Sequence, residues 1–312
     1  MNRQIFFLLV LTAGFLLACS KNETETRLLE EEQALDEWVK RHYAEAKKLS
    51  NGLYIRSEES SGEKPEAGQF VLLNYRLRLL DNMALEKTSY AITDETPVEK
   101  SLYKFGGPEI WQLTAPLAGI SAGIAQMSEE QTGTIFFSSR YNELTGFNFD
   151  YRSRILEMEL VKIISALSLY QDTLCHFYIA QQSQKVDTVV TRTVTDVSCH
   201  VMYGIVGEGT GESVDGKTTV RAKVEARYAL RKNESILFAQ PEKAIDLKND
   251  PNFNSYTVDN YLNKILKPLK IGSKIRLAMP YVVFYGSNVE EDDGQVVVPM
   301  RSVIILDIEI VE

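Results

Sequence analysis

The sequence predicts an α+β protein built as two tandem units, and three observations lead there. The first is a short helix set among extended runs near the C-terminus. Val258, Leu262, Ile265, Leu266 and Leu269 fall at i, i+4, i+7, i+8 and i+11, one apolar stripe on a helix. Pro268 and Gly272 end it, Lys274 to Met279 runs extended, Pro280 breaks that run, Tyr285-Gly286 turns the chain, and Val303 to Val311 makes a last strand. The second is an internal repeat. Tyr75 and Tyr228 are 153 positions apart and Leu156 and Leu306 are 150 apart, each pair in the same local pattern of helix, loop and strand. The third is size: 312 residues, 44% hydrophobic and 25% charged, suit two ordinary globular domains.

The N-terminal segment is a targeting signal by its pattern. Arg3 gives a positive start and Ile5 to Leu17 an apolar run too short for a stable membrane span. It closes on Leu16-Leu17-Ala18-Cys19, which resembles a bacterial lipobox. That resemblance implies cleavage after residue 18 and lipid on the Cys19 thiol and amine, enough acyl chains for a lasting membrane anchor. Ser20 follows the cysteine, and the absence of an aspartate there favours the outer membrane. Residues 19–50 are then a tether that becomes an amphipathic helix, with Leu28, Leu35, Trp38, Val39, His42, Tyr43 and Ala46 near one face and Asn51-Gly52 as its stop.

The first unit spans 51–163. Leu53 to Arg56 is extended, Ser57 to Gly68 is a polar loop, and Gln69 to Leu80 is a long strand whose odd positions, Val71, Leu73 and Tyr75, point inward. Lys87 to Gly107 has no clear period. Leu117, Ile120, Ile124 and Met127 place a helix over 116–127, followed by strands at Thr132 to Phe137 and Ile155 to Ile163. A helical linker fills 164–200: Ser168 to Gln184 is helix, and Val186 to Val197 is either linker or strand. The pattern then restarts for 201–312, with Val201 to Ile205 extended, a glycine-rich loop over 207–216, and a strand from Thr219 to Leu230.

Both units resemble the FKBP-type peptidyl-prolyl cis-trans isomerases. The likeness is carried by NYRLRLLDNMALEKT and LAGISAGIAQMSEEQ in the first, and by GEGTGE, RYALRKNESILFA, KIGSKIRLAMP and VPMRSVIILDIEIVE in the second. It implies a curved antiparallel sheet wrapped around one short helix, with the substrate proline held in an aromatic pocket between them. The chemistry is non-covalent and needs no metal or cofactor. Turning an X-Pro bond meets a barrier of about 18–20 kcal/mol because amide resonance is lost at the twist. An apolar pocket that strips water from the carbonyl favours the twisted state, and a few hydrogen bonds hold it.

Carried over residue by residue, the resemblance makes Tyr75 the wall tyrosine of the first site, Leu85 and Glu86 the positions of a phenylalanine and the acid, and Leu117 the residue whose amide meets substrate. Ile120 stands at the pocket floor and Leu156 at another phenylalanine position. The tyrosine that precedes a glycine in the family is replaced by Glu143 or Leu144. In the second site Tyr228, Phe238 and Tyr285 match aromatic positions, Ala239 replaces the acid, Leu262 takes the floor and Leu306 the phenylalanine position. Neither unit has the tryptophan floor of the family. The implied substrates are proline-containing segments of envelope or secreted proteins. The alternative is a binding module that grips such segments without turning them over.

Other classes are disfavoured. A net charge of -9 without a basic run is a poor match for nucleic acid. GEGTGE lacks the Gly-Lys-Ser/Thr ending of a phosphate loop. His42, His176 and His200 are not in metal-ligand spacing, and the acids of Glu290 to Asp293 are consecutive where a calcium loop alternates them. Cys175 and Cys199 either pair in an oxidising envelope or remain two thiols.

Overall fold

Antiparallel sheets with few helices carry this chain in a computed structural model. The structure describes residues 3–58, 60–81, 84–87, 108–144, 150–183, 185–194, 197–239, 242–246, 262, 265–285 and 298–312, with the backbone alone at 3–22, 84–87, 142–144, 188–194, 197–199, 238–239, 242–246 and 285. It divides into two compact units, one of Met1–Gly68, Tyr75–Lys87 and Leu113–Leu160, the other of Gln69–Asn74, Thr88–Gln112 and Val161–Glu312.

The first sheet follows helix α1 (Arg3–His42). Its strands are β1 (Lys47–Lys48), β2 (Tyr54–Ser57), β3 (Phe70–Leu79), β4 (Ala84–Lys87), β5 (Glu109–Gln112), β6 (Gln131–Phe137) and β7 (Arg154–Ile164), with α2 (Gly119–Ile124) before β6 and a 3₁₀ turn, Ser139–Leu144, after it. The order across the sheet is β1-β2-β6-β7-β3-β4, and β5 also pairs with β3. Helix α3 (Leu167–Ala180) leads into the second sheet. This contains β8 (Asp187–Val194), β9 (Val197–Gly207), β10 (Thr219–Arg231), β11 (Glu234–Ala239), β12 (Glu242–Asp246), β13 (Lys274–Pro280) and β14 (Val303–Ile310), with α4 (Tyr281–Tyr285) after β13. Its order is β8-β9-β13-β14-β10-β11, with β12 on β10. Read by chain position, the two orders are the same.

Each sheet carries the preceding helix on its outer face. Leu35 and Val39 of α1 pack with Tyr54, Phe136 and Ile155, and Tyr43 stacks on Phe136 with ring centroids 4.7 Å apart. Leu174, Cys175, Tyr178 and Ile179 of α3 pack with Met202, Ala229, Ala278, Val303 and Ile305. A Cβ on Gly204 would stand 2.8 Å from Ile179, so only glycine lets β9 run this close to α3. The inner faces are apolar by strand alternation. In the second sheet Tyr228 lies opposite Ile304, and Leu277 and Ala226 both lie opposite Leu306.

Several elements depart from the sequence expectation, each for a local reason. Helix α1 stops at His42 and not at Asn51-Gly52, because Lys47 and Lys48 pair with Ile55 and Tyr54. Asn51-Gly52 makes the turn between β1 and β2 instead, with Gly52 at φ +89°. Helix α2 covers 119–124 where 116–127 was expected. Pro116 cannot donate, the Ala118 amide is taken by Thr114 Oγ1 at 2.9 Å, and Met127 N closes a tight turn on Ile124 O at 2.9 Å. Strand β3 does not alternate in burial: Leu72, Asn74 and Arg78 are buried along with Tyr75 and Leu77, so both of its faces are covered. Residues 187–194 are strand, paired with β9 from Asp187 opposite Tyr203 to Val194 opposite Val197. Beyond Pro280 the chain makes the helical turn α4, its Tyr281 amide donating to Ser302 O at 2.8 Å. Val258, the acidic run Glu290 to Asp293 and most of Lys87 to Gly107 lie outside the described residues.

Candidate functional site

The inner face of the first sheet gathers part of the expected site. Arg76 and Arg78 of β3 reach Glu157 of β7, at 3.9 and 2.8 Å, so those side chains share the outer face. By alternation Tyr75, Leu77 and Leu156 share the inner one. Leu156 stands opposite Ile135 of β6. Helix α2 presses on that spot: a Cβ on Gly123 would lie 2.4 Å from Ile135 Cδ1. Tyr75, Ile120 and Leu156 are 3%, 3% and 1% exposed. Leu117 is half-buried on the segment leading into α2. Glu86 is set opposite Leu77 in the β3–β4 register, and Leu85 precedes it; their side chains lie outside the described residues.

The second sheet repeats the arrangement. Tyr228, Leu262 and Leu306 belong to one continuous apolar cluster and are 1%, 2% and 0% exposed. Leu262, Ile265 and Leu266 are helical, so the short helix expected before β13 is present at these positions. Ala239 is set opposite Ala226, with Phe238 before it, and Tyr285 closes α4; the side chains of these three lie outside the described residues. The β10–β11 hairpin turns at Lys232-Asn233, with Asn233 at φ +62°, whereas β3 turns later, after Leu79. The acid-position residue is therefore opposite Leu77 in one sheet and Ala226 in the other.

A cavity of about 420 Å³ opens elsewhere, on the outer face of the second sheet. Lys223, Glu225, Lys274, Asp307 and Glu309 line it beside Gln182. These charged side chains have the opposite parity to Tyr228 and Leu306, so this groove is not the expected proline site.

Other residues singled out in the sequence have structural placements. Gly209 sits against the turn at Ile271-Gly272, where a Cβ would meet Ile271 O at 2.3 Å, and its amide donates to Ser273 Oγ at 3.0 Å. The glycine-rich loop thus packs on backbone. His200 Nδ1 lies 2.6 Å from Asp172 Oδ2, tying β9 to α3, while His42 and His176 are exposed. Cys175 is buried and the Cys199 side chain lies outside the described residues, as does that of Cys19 in the helical backbone of α1. Among the described residues no three His, Cys, Asp or Glu side chains converge as metal ligands.

The structure also brings forward two residues that the sequence reading passed over. Glu31 of α1 is buried and accepts from the Ser139 amide at 2.7 Å, from Ser139 Oγ, and from Ser153 Oγ at 3.0 Å. Tyr141 of the 3₁₀ turn donates its hydroxyl to the Asn51 carbonyl. Burial, then the nearby Glu32 carboxylate, raises the Tyr141 phenol above its ordinary value, against the opposing pull of Arg140. Nothing in local sequence marks either one: Glu31 is one of several glutamates on its helix, and its partners are more than a hundred positions away.

No protein-family profile and no curated protein matches this chain. Among solved structures it is similar to FkpA from Escherichia coli, at 17% identity over 53% of this chain and 75% of that one, with a TM-score of 0.36. A peptidyl-prolyl cis-trans isomerase from Pseudomonas syringae pv. tomato is similar at 18% identity over 45% of this chain and 96% of that one, TM-score 0.33. The three FKBP domains of wheat FKBP73 are similar at 14% identity over 84% of this chain and 95% of that one, TM-score 0.27.

Proposed function

We propose that this chain is a peptidyl-prolyl cis-trans isomerase and folding helper of low activity, built from two tandem FKBP-like domains. Turnover belongs to the first domain and client binding to the second. The observation that carries this is a constellation built twice: a tyrosine on the long central strand and a leucine on the last strand share an inner sheet face, with a short apolar helix before the penultimate strand. Tyr75, Leu156 and α2 make it in one sheet, and Tyr228, Leu306 and the helical residues Leu262, Ile265 and Leu266 in the other.

In the first domain an X-Pro segment binds with its proline ring on the apolar inner face and its carbonyl away from water. Twisting the imide reduces its polarity, so the dry face favours the twisted state over the planar one. The Leu117 amide and the Tyr75 hydroxyl hold the segment, and Glu86 supplies the acceptor for its backbone. With Tyr75, Ile120 and Leu156 each under 4% exposed, a proline ring reaches them only if the side chains above part. That cost is the physical reason for low turnover.

The second domain has Ala239 at the acid position, and Tyr228, Leu262 and Leu306 are continuous with its core. The missing acid favours binding over turnover there, and two linked domains raise grip through effective concentration. Cys19 carries the lipid that holds the protein on the bacterial envelope, at the outer membrane, and its clients are proline-containing segments of envelope proteins. The test is isomerisation of a short Xaa-Pro peptide by the full chain in mild detergent. It is run beside the Tyr75→Ala/Glu86→Ala and Tyr228→Ala/Phe238→Ala pairs. Acceleration abolished by the first pair and kept in the second is expected. A folded chain that gives no acceleration leaves only the binding module.

A further inference from the structure

The segment before α2 is held by a clamp that begins on α1. Gly119 has φ +51°, a left-handed conformation that suits glycine, and a Cβ there would lie 3.6 Å from Tyr141 Cδ1. The Tyr141 ring therefore covers the bare face of Gly119. Asn51 holds the same residue too: its Nδ2 donates to Gly119 O at 3.2 Å while its own carbonyl accepts the Tyr141 hydroxyl. Leu117 lies two residues before Gly119, so the placement of its amide depends on this grip.

Tyr141 is in turn fixed from α1. The 3₁₀ turn that carries it is fastened at Ser139 by the buried Glu31 carboxylate, which also takes the Ser153 hydroxyl on the approach to β7. Arg140, next in the turn, donates to Glu32 at 2.7 Å and to Glu25 at 2.9 Å. Three carboxylates spaced along one helix thus grip two consecutive residues, and the third residue of the turn is Tyr141. A buried carboxylate holding one amide and two hydroxyls is costly to disturb, because any partner removed leaves a desolvated charge short of a bond.

We propose that Tyr141 is a positioning residue for the Leu117–Gly119 segment and that Glu31 transmits the placement of α1 to it. This rests on the isomerase reading for its consequence in turnover, though not for its structural content. A chain held at its N-terminal end would then have its substrate-binding segment ordered by the helix nearest the anchor. Tyr141→Phe removes the hydroxyl alone, and Glu31→Gln keeps the shape while removing the charge.

The test is hydrogen exchange on the full chain in mild detergent, followed at Ala118 and Ala125 and, as an internal control, across the β6–β7 ladder. Both variants are expected to exchange roughly tenfold faster at Ala118 and Ala125 while the ladder keeps its wild-type rate. KM for an Xaa-Pro peptide is expected to rise several-fold with kcat unchanged. Wild-type exchange at Ala118 and Ala125 in both variants would overturn the proposal, and so would equal acceleration throughout the ladder, which marks a general loss of stability. If the wild-type chain does not accelerate isomerisation at all, the isomerase reading fails and the exchange pattern alone decides the clamp.

Discussion

The two sheets share a strand order and differ in how they spend their charged side chains. In both, a carboxylate follows the inner-face leucine of the last strand: Glu157 after Leu156, and Asp307 after Leu306. In the first sheet the arginines come from β3, and one oxygen of Glu157 takes Arg78 Nε at 3.1 Å and Nη2 at 2.8 Å. In the second, Arg276 comes from β13 on the other side and meets both oxygens of Asp307 at 2.6 Å, while also donating to Tyr178 O of α3 at 3.3 Å. The outer helices differ in the same sense. Helix α1 grips by carboxylates, whereas α3 adds neutral groups to its Asp172–His200 contact: Tyr170 donates to Leu230 O at 2.6 Å, Gln171 to Arg301 O at 2.7 Å, and Tyr178 bonds to the β10–β11 turn at Arg231 O and Glu234 O, both at 2.7 Å. Two sheets of one strand order keep the apolar inner face, which the strand pattern imposes, while the polar fastenings outside it differ.

That difference can be broken at several depths. Leu156→Ala and Leu306→Ala should each cost about 2–5 kcal/mol, because both side chains are buried in tightly packed inner faces. Denaturant unfolding should show each variant shifting the transition of its own half. The ion pairs come next. Asp307→Ala leaves Arg276, whose side chain is 9% exposed, without its carboxylate, and should cost about 3 kcal/mol. Glu157→Ala should cost less, about 2 kcal/mol, because Arg78 meets only one oxygen of Glu157 and Arg76 stands 3.9 Å from the other, whereas Arg276 meets both oxygens of Asp307 at 2.6 Å. Equal losses, measured by urea midpoints, would remove the claimed asymmetry. Tyr178→Phe should cost about 1–2 kcal/mol through the carbonyls it leaves at the β10–β11 turn.

The smallest effect is one of pH. Hydrogen bonds from Lys40 and then Lys48 hold Asp36 below the ordinary aspartate value of 3.8. Its folded pKa is depressed, so its contribution is complete well above 3.8 and is lost as pH falls below that value. Acid titration of α1 helicity should show a loss in this range that Asp36→Asn abolishes. The effect should be a fraction of a kcal/mol, as for exposed pairs generally.

Much of this was legible in the sequence where one period governs a segment. Strands β7, β10 and β14, helix α3 and the repeat of Tyr75 at Tyr228 all follow from local alternation or helical spacing. The end of α1 was not legible, because its stop depends on β1 pairing with β2, a contact the helical stripe through Ala46 cannot foresee. The length of α2 was misread because Leu117 and Met127 continue an apolar spacing that Pro116 and the tight turn at Met127 cut short. The inward set of Tyr75 was legible from the odd positions of its strand, whereas Leu156, Tyr228 and Leu306 were singled out only through the family resemblance. The Glu31–Ser139–Tyr141 clamp was invisible, since it joins residues 108 positions apart through ordinary residue types.

The most direct test of the central claim compares the two acid positions in one assay. Isomerisation of an Xaa-Pro peptide and binding of the same peptide are measured on the full chain and on Glu86→Ala. A rate enhancement reduced at least tenfold, with peptide binding retained through the second domain, is the predicted result. An unchanged rate in Glu86→Ala would contradict the assignment of turnover to the first sheet.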